Sequence, residues 1–259
     1  MKLFGGDTDT DLIVIAEIGL NHEGDLSRAK RLLRLAKDSG ATAAKFQTFN
    51  PAIYTRRAEW DLGESGFRAL AEVAASIDFP IFSTAVTIDV VPLLAELFPA
   101  IKIASRGIRD HDLIRAVAST GKPMILSTGK SDMATVCAAM DAFEEIEGHG
   151  EIAVLHCVSA YPAPLIQANL LSIPYMQERL SCPVGWSNHV SGCAACVAVV
   201  AMGVPILEIH FTDSRVGAEF RDHELSVTPS EMADFISAAH RIRMGLGKPG
   251  KFIQPCESE

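Results

Sequence analysis

Eight short apolar runs punctuate the chain: Leu12 to Ala16, Ala43 to Thr48, Pro80 to Thr84, Ile101 to Ala104, Met124 to Ser127, Ala153 to Cys157, Val184 to Trp186 and Ile206 to Phe211. Segments between them space apolar residues three and four apart, as at Leu26, Ala29, Leu32, Leu33 and Ala36, or at Leu113, Ala116, Val117 and Ala118. That is the period of an amphipathic helix. The pattern predicts eight strands, each followed by a helical segment. Strands apolar on both faces belong in buried parallel sheets, and helical crossovers are how parallel strands connect. Eight such units in about 250 residues predict an α/β fold, a single (β/α)8 TIM barrel.

The punctuation agrees. Gly40, Gly121 and Gly203 stand where a helix should stop in a left-handed residue, and Thr228-Pro229-Ser230-Glu231 has the cap hydroxyl, first-turn proline and third-position glutamate that open a last helix. An open doubly wound sheet is the alternative, but no G-x-G-x-x-G follows the first strand. The barrel is expected over residues 1–247, with 248–259 as a tail.

Composition narrows the function classes. The 259 residues carry 23 Lys and Arg against 32 Asp and Glu, a formal charge of −9, with 48% hydrophobic residues. A globular chain of that charge, without a basic run, is not expected to bind nucleic acid. No stretch approaches the roughly 20 apolar residues of a membrane helix, and Met1 to Asp7 lacks the apolar core of a signal peptide. A cytoplasmic protein with no membrane partner is expected. The six cysteines are irregularly spaced, so reduced thiols are expected. Cys193 and Cys196 have C-x-x-C spacing, but without a second pair they read as residues of a packed helix.

Chemistry in a barrel collects at the carboxyl ends of its strands, and here those ends are polar. In strand order they offer Glu17 with Asn21 and His22, then Lys45 and Gln47, Ser83 and Thr84, Lys102 and Ser105, Ser127 to Gly129, His156 and Ser159 with Tyr161, Ser187 to His189, and Glu208 with His210. A lysine inside an apolar strand costs of order several kcal/mol to desolvate unless paired. Lys45 and Lys102 facing one mouth therefore suggest an anionic ligand, with the hydroxyls of Ser105, Ser127 and Ser187 as added donors. The alternative for each serine is to satisfy backbone at a strand end. His189 and His210 close adjacent strands, within reach of one divalent ion, and imidazole would suit Mn, Fe, Co or Zn equally. Glu17 and Asp222 are further carboxylates, His22 and His223 weaker imidazoles, and His156 reads as a satisfied core histidine.

These residues lie in stretches that resemble one family. Ile15-Ala16-Glu17-Ile18-Gly19-Leu20-Asn21-His22-Glu23-Gly24, Lys45-Phe46-Gln47-Thr48, Lys102-Ile103-Ala104-Ser105, Ile125-Leu126-Ser127-Thr128-Gly129, Leu155-His156-Cys157-Val158-Ser159-Ala160-Tyr161-Pro162, Gly185-Trp186-Ser187-Asn188-His189 and Glu208-Ile209-His210-Phe211-Thr212 resemble the catalytic barrel of the sialic acid synthase (N-acetylneuraminate synthase) family. The resemblance implies condensation of phosphoenolpyruvate with an open-chain N-acyl hexosamine or related aldose, giving a nine-carbon 2-keto-3-deoxy acid and phosphate, with a divalent metal, usually manganese. It implies that His189 and His210 hold the metal. Lys45, Thr84, Lys102, Ser105, Ser127, Ser159 and Ser187 would bind phosphoenolpyruvate, Gln47, Tyr161 and Asp222 would face the sugar, and Glu17 would lie between the substrates. Glu17, Lys45, Gln47 and Asp222 form the implied catalytic group. Ser159 stands where some relatives carry Asn.

Departures from the family pattern mark the acceptor side. Arg106-Gly107 follow Ser105 where the family has Gly and an acidic residue, and the segment from Asn50 to Ile77 is short. Asn188 replaces an aspartate next to His189, which removes a charge beside a metal ligand and weakens its expected support. Phe220-Arg221-Asp222-His223 replaces Gly-Pro-Asp-His. The tail from Lys248 to Glu259 resembles the linker to an antifreeze-like domain, which in the family covers the mouth of the partner subunit. A homodimer and a separate lid domain are thus implied partners. Two classes of function follow: an active phosphoenolpyruvate-dependent synthase, favoured by the intact lysines and histidines, or a non-condensing barrel that binds phosphoenolpyruvate or metal as a partner subunit.

Overall fold

Each predicted strand forms, and its ends are set by the neighbour it pairs with. The structure, a computed structural model, describes residues 1–217 and 220–257. The strands are β1 (Ile13–Gly19), β2 (Ala43–Thr48), β3 (Ile81–Ala85), β4 (Ile101–Ile103), β5 (Met124–Ser127), β6 (Ile152–His156), β7 (Val184–Asn188) and β8 (Ile206–His210). All neighbours are parallel, and β8 pairs with both β7 and β1, so the sheet is a closed barrel. An open doubly wound sheet is thereby excluded. β1 runs three residues beyond the apolar run because Glu17 and Gly19 join the ladder opposite Lys45 and Phe46, with a register shift between them.

The crossover helices are α1 (Leu26–Asp38), α2 (Gly63–Ser76), α3 (Val91–Leu97), α4 (His111–Ala118), α5 (Met133–Glu144), α6 (Ser172–Gln177) and α7 (Ala194–Ala201). A single turn, α8 (Asp222–Leu225), and the long α9 (Pro229–Leu246) follow. α1 starts where Asp25 accepts the backbone N–H groups of Ser27 and Arg28, and it buries Ala29, Leu32, Leu33 and Ala36, the predicted stripe. α9 opens with the predicted Thr228–Glu231 capping box. Gly40, Gly121 and Gly203 take the expected positive φ, at 84°, 67° and 82°. A short hairpin, Lys2–Leu3 with Gly6–Asp7, places Phe4 4.7 Å from the ring of Phe82, at the amino-terminal side of the barrel. The last two residues of the tail, Ser258 and Glu259, lie outside the described residues. Among the described residues no helix is long and apolar enough to cross a membrane.

Pairing fixes which residues share the interior. Ser187 pairs with Glu208, His210 with Glu17, Glu17 with Lys45, Gln47 with Thr84 and Thr84 with Lys102. The polar residues thus collect at the carboxyl end of one closed interior. Trp186 and His156 alternate to the outer face, where their rings lie 5.2 Å apart and His156 Nε2 bonds the Ala168 carbonyl. His156 is the core histidine the sequence suggested.

The interior is closely packed where β6, β7 and β8 meet. A Cβ at Gly185 would collide with the Ile206 carbonyl and stand 2.6 Å from Leu155 Cδ2. Gly185→Ala should therefore cost about 1–3 kcal/mol through overpacking and lower the Tm measured by circular dichroism. An unchanged Tm would show that β7 and β8 separate more easily than the closed ladder suggests.

Candidate active site

Two lysines and two glutamates fill the floor of the mouth, all at least 95% buried. Lys45 Nζ lies 2.6 Å from Glu17 Oε2 and 3.7 Å from Glu208 Oε2, and donates to Thr84 Oγ1 at 3.1 Å. Lys102 Nζ donates to the same Glu208 oxygen at 2.6 Å, while Ser187 Oγ donates to Glu208 Oε1 at 2.8 Å. Glu208 therefore joins strands β2, β4, β7 and β8 through one carboxylate. The sequence placed it at a strand end but gave it no role; its position two residues before His210, on the same inward face, was the available signal.

The two glutamates titrate oppositely. Burial pushes Glu17 up to about 7, with Lys45 opposing and the Glu208 charge adding to the rise. Burial also works against Glu208, but Lys102, Lys45 and the Ser187 hydroxyl outweigh it and hold the group well below the usual carboxylate range. Burial opposes the charge on Lys45, yet Glu17 and Glu208 more than offset it and its pKa is raised. Lys102, with the first lysine beside it, is lowered by burial that Glu208 offsets only in part. The floor holds one permanent carboxylate and one that can gain or lose a proton near neutrality.

Gly19 makes room for that second carboxylate. It has a φ of 54°, and a Cβ there would stand 2.9 Å from Glu17 Oε1 and 3.2 Å from Gln47 Nε2. Gln47 Nε2 donates to Glu17 Oε1 at 3.4 Å. On the far side, Ser105 Oγ accepts the Gly129 N–H at 2.9 Å and lies 3.1 Å from Cys157 Sγ. A side chain at Gly129 would collide with Ser159 Oγ, so Ser105, Gly129 and Ser159 form one close cluster. Ser127 is buried at the end of β5 on the inward face. The structure brings the predicted anion-binding residues to one place, but Ser187 is committed to Glu208.

His189 and His210 meet above this floor, with ring centroids 5.3 Å apart. His189 Nδ1 donates to the Val158 carbonyl at 2.6 Å, which leaves Nε2 with its lone pair. Burial pushes His189 down to about 4 and holds His210 well below the usual imidazole range, with His189 contributing, so both rings are neutral near pH 7. Two neutral imidazoles, one already oriented through its other nitrogen, fit a divalent ion. Among the described residues no third His, Cys, Asp or Glu completes a cage, so remaining positions would fall to water or substrate. Asp222 Oδ2 is 3.8 Å from His210 Nδ1, and burial pushes its carboxyl up to about 6. Tyr161 lies over both imidazoles, 4.2 and 5.8 Å between centroids, and burial keeps its phenol protonated.

Several neighbours are scaffolding. Asn188 does not support His189: its Nδ2 donates to the Val190 and Gly192 carbonyls and its Oδ1 accepts the Val190 N–H. Those carbonyls need a donor that an aspartate lacks, so the exchange organises the β7 loop and takes nothing from the histidine. Asn21 donates to Phe211 O and Ser226 Oγ, His22 Nδ1 accepts the Gly24 N–H, and His223 Nδ1 bonds Thr212 Oγ1. These residues stitch the β1 and β8 loops together. A cleft of about 660 Å³ lined by Thr128, Cys157 and Ser159 opens beside the serine cluster. Another of about 700 Å³ lies near the amino-terminal hairpin, beside Met1 and Thr8, away from the lysines and imidazoles.

Comparison with known proteins points one way. The model of the NeuB family matches residues 52–251. The chain is 33% identical to human N-acetylneuraminate-9-phosphate synthase over 94% of its own length and 74% of that protein's. It is 31% identical to N,N'-diacetyllegionaminic acid synthase of Legionella pneumophila, over 95% and 76%. Its fold is similar to the crystal structure of N-acetylneuraminic acid synthetase from Leptospira borgpetersenii in complex with citrate, with a TM-score of 0.89 and 32% identity over 95% of this chain and 89% of that one.

If the paired imidazoles hold the ion, His189→Ala and His210→Ala should each abolish bound manganese, measured by elemental analysis after gel filtration, while far-ultraviolet circular dichroism stays unchanged. Full metal content in both variants would remove the assignment.

Proposed function

Because the chain belongs to the NeuB family, we propose that it condenses phosphoenolpyruvate with the open-chain form of an N-acyl hexosamine or related aldose in the cytoplasm. The products are a sialic-type nonulosonic acid and phosphate. One observation carries the reading: two buried ammonium groups share a carboxylate oxygen of Glu208 directly beneath a pair of neutral imidazoles. An anion with charge at both ends suits the first pair, and a carbonyl oxygen suits the second.

When bound at His189 and His210, a divalent ion, manganese in this reading, supplies Lewis-acid polarisation of the acceptor aldehyde. The remaining work belongs to side chains. Lys45 and Lys102 hold the carboxylate and phosphate of phosphoenolpyruvate by charge, with Thr84, Ser105, Ser127 and Ser159 as hydroxyl partners, while Ser187 holds Glu208; this is positioning and electrostatic stabilisation. Glu208 fixes both lysines so that they need not reorganise when the anion arrives. Gln47, Tyr161 and Asp222 orient the acceptor from the rim. Glu17 lies between, and its raised pKa lets Oε1 or Oε2 carry a proton at neutral pH. It can give that proton to the aldehyde oxygen as carbon 3 of the enol bonds to the aldehyde carbon; water then adds at carbon 2, and the bond from carbon 2 to the phosphate oxygen breaks, leaving the 2-keto acid and inorganic phosphate. Neither lysine needs to form a Schiff base.

The direct test is phosphate release from phosphoenolpyruvate with manganese across N-acyl hexosamines and simple aldoses, against a metal-free control. Release that needs both acceptor and metal is expected. Phosphoenolpyruvate binding without release for any acceptor would favour a non-condensing barrel.

Two further outcomes follow from the floor. Lys102→Ala should weaken phosphoenolpyruvate binding by about 1.5–3 kcal/mol, the scale of a hydrogen bond to a charged group, and calorimetry checks it. An entering polyanion disfavours the ionised form of Glu17 and raises its pKa beyond the value of about 7 set by burial. Between about pH 7 and 8, binding should therefore take up a proton, seen as a dependence of binding heat on buffer ionisation enthalpy. Glu17→Gln should abolish that uptake.

A further inference from the structure

The β7–α7–β8 crossover carries a C-x-x-C pair that the synthase reading leaves unused. Cys193 is the N-cap of α7, at φ −107° and ψ 6°, and Cys196 stands in the first turn of that helix. The structure separates their surroundings. Cys196 is wholly buried, the packed position its sequence suggested, whereas Cys193 is half-buried at the start of the helix. Both are free thiols, and they hydrogen-bond to one another. Residues three apart in a helical turn place their Cβ atoms about 5–6 Å apart, and a disulfide needs about 3.5–4.5 Å. The remaining distance falls to the loop. Gly192, immediately before Cys193, has a φ of 73° and nothing within 4 Å of where a Cβ would stand, so the chain there has room to draw Cys193 onto Cys196.

The two thiols differ in the way an attacking and a closing thiol must. The N-cap side chain makes no capping bond, so the first-turn N–H groups of α7 favour an anion at that position. The Cys196 thiol beside it holds Cys193 below the usual thiol range; burial and the Glu231 charge oppose this, and Arg215 from the β8 loop adds to it. Burial pushes Cys196 well above that range, with Cys193 adding to the rise. Exchange with a disulfide needs a thiolate that the disulfide can reach. Cys193 meets both conditions, and Cys196 meets neither until a sulfur bond has formed next to it. A C-x-x-C at the start of a helix between two parallel strands is also the arrangement that dithiol redox sites use in reduced compartments.

We propose that Cys193 and Cys196 form a reversible redox pair, a dithiol that exchanges with low-molecular-weight disulfides of the glutathione class. The Cys193 thiolate attacks one sulfur of the small disulfide, whose S–S bond breaks, and one molecule of thiol leaves. Cys196 then gives its proton to water and attacks Cys193 Sγ; the mixed disulfide breaks and the second thiol is released. The protein loses two electrons and two protons, and the small disulfide gains them as it becomes two thiols. The site needs nothing from the synthase reading. It lies at the far end of the loop that begins with His189: Asn188 Nδ2 donates to the Gly192 carbonyl at 3.2 Å, so the disulfide closes one residue beyond the bonds that hold that loop.

The test equilibrates the intact chain anaerobically in buffers of graded reduced to oxidised glutathione, quenches in acid, alkylates the remaining thiols and maps them by mass spectrometry. The expected product is a monomer lacking two hydrogens, both lost from the fragment that holds Cys193 and Cys196, and excess reduced glutathione should restore them. Cys196→Ser should stop at a glutathione adduct on Cys193, formed faster than any adduct on the exposed Cys137 and Cys256. Cys193→Ser should leave Cys196 unmodified. Alkylation of both thiols in the wild-type chain at the most oxidising ratio overturns the pair, as does a glutathione adduct on Cys193 that never closes onto Cys196. An adduct on Cys193 in Cys196→Ser that forms no faster than on Cys137 also overturns it. The wild-type map decides by itself where a variant fails to fold, which circular dichroism shows.

Discussion

Putting two ammonium groups inside an apolar barrel is the constraint around which the site is organised. Each buried ion loses hydration worth of order several kcal/mol, and Lys45 and Lys102, on β2 and β4, are almost wholly withdrawn from solvent. Glu208 meets the demand for both at once, and Glu17 adds a second carboxylate for Lys45. That arrangement dictates much of the surroundings. Ser187 is drawn to Glu208, Thr84 to Lys45, and residue 19 must be small enough for Glu17 to turn over it.

The same compensation divides labour between the glutamates. Glu208 sees two ammoniums and a hydroxyl and stays ionised, a fixed counter-charge. Glu17 sees one close ammonium and a neighbouring anion, and burial carries it to about 7. Two carboxylates on one floor are thereby separated into a permanent anion and a proton carrier by nothing more than the number of cations each one faces. The imidazoles above remain neutral for a related reason: burial and the nearby lysines make added positive charge costly. A site that keeps its histidines unprotonated is ready for a cation of another kind.

Towards solvent the buried ion pairs give way to arginines stacked on aromatic rings, Arg57 on Trp60, Arg106 on Tyr54 and Arg221 on Tyr161. The lysine–glutamate floor is paired before any substrate arrives.

Period-two and period-3.6 patterning is a local property, so eight strands, their intervening helices, the α9 cap and the inward residues Lys45, Lys102, His189 and His210 were legible in the amino-acid sequence alone. His156 was legible as a core histidine, but its outward position beside Trp186 came from the pairing of β6 with β7. What the sequence could not carry was pairing across the closed ring. Glu208 bridges strands more than a hundred residues apart, and only closure of β8 onto β1 and β7 brings it to both lysines. Asn188 looked like a lost charge beside a ligand until the turn of its own loop revealed carbonyls in need of a donor. The stacked arginines depend on loops from three separate crossovers converging at one end. Residue type and spacing determined which groups face inward; which of them meet, and therefore which stay charged, was decided by the tertiary structure, because electrostatic energy in a buried site depends on distance through space.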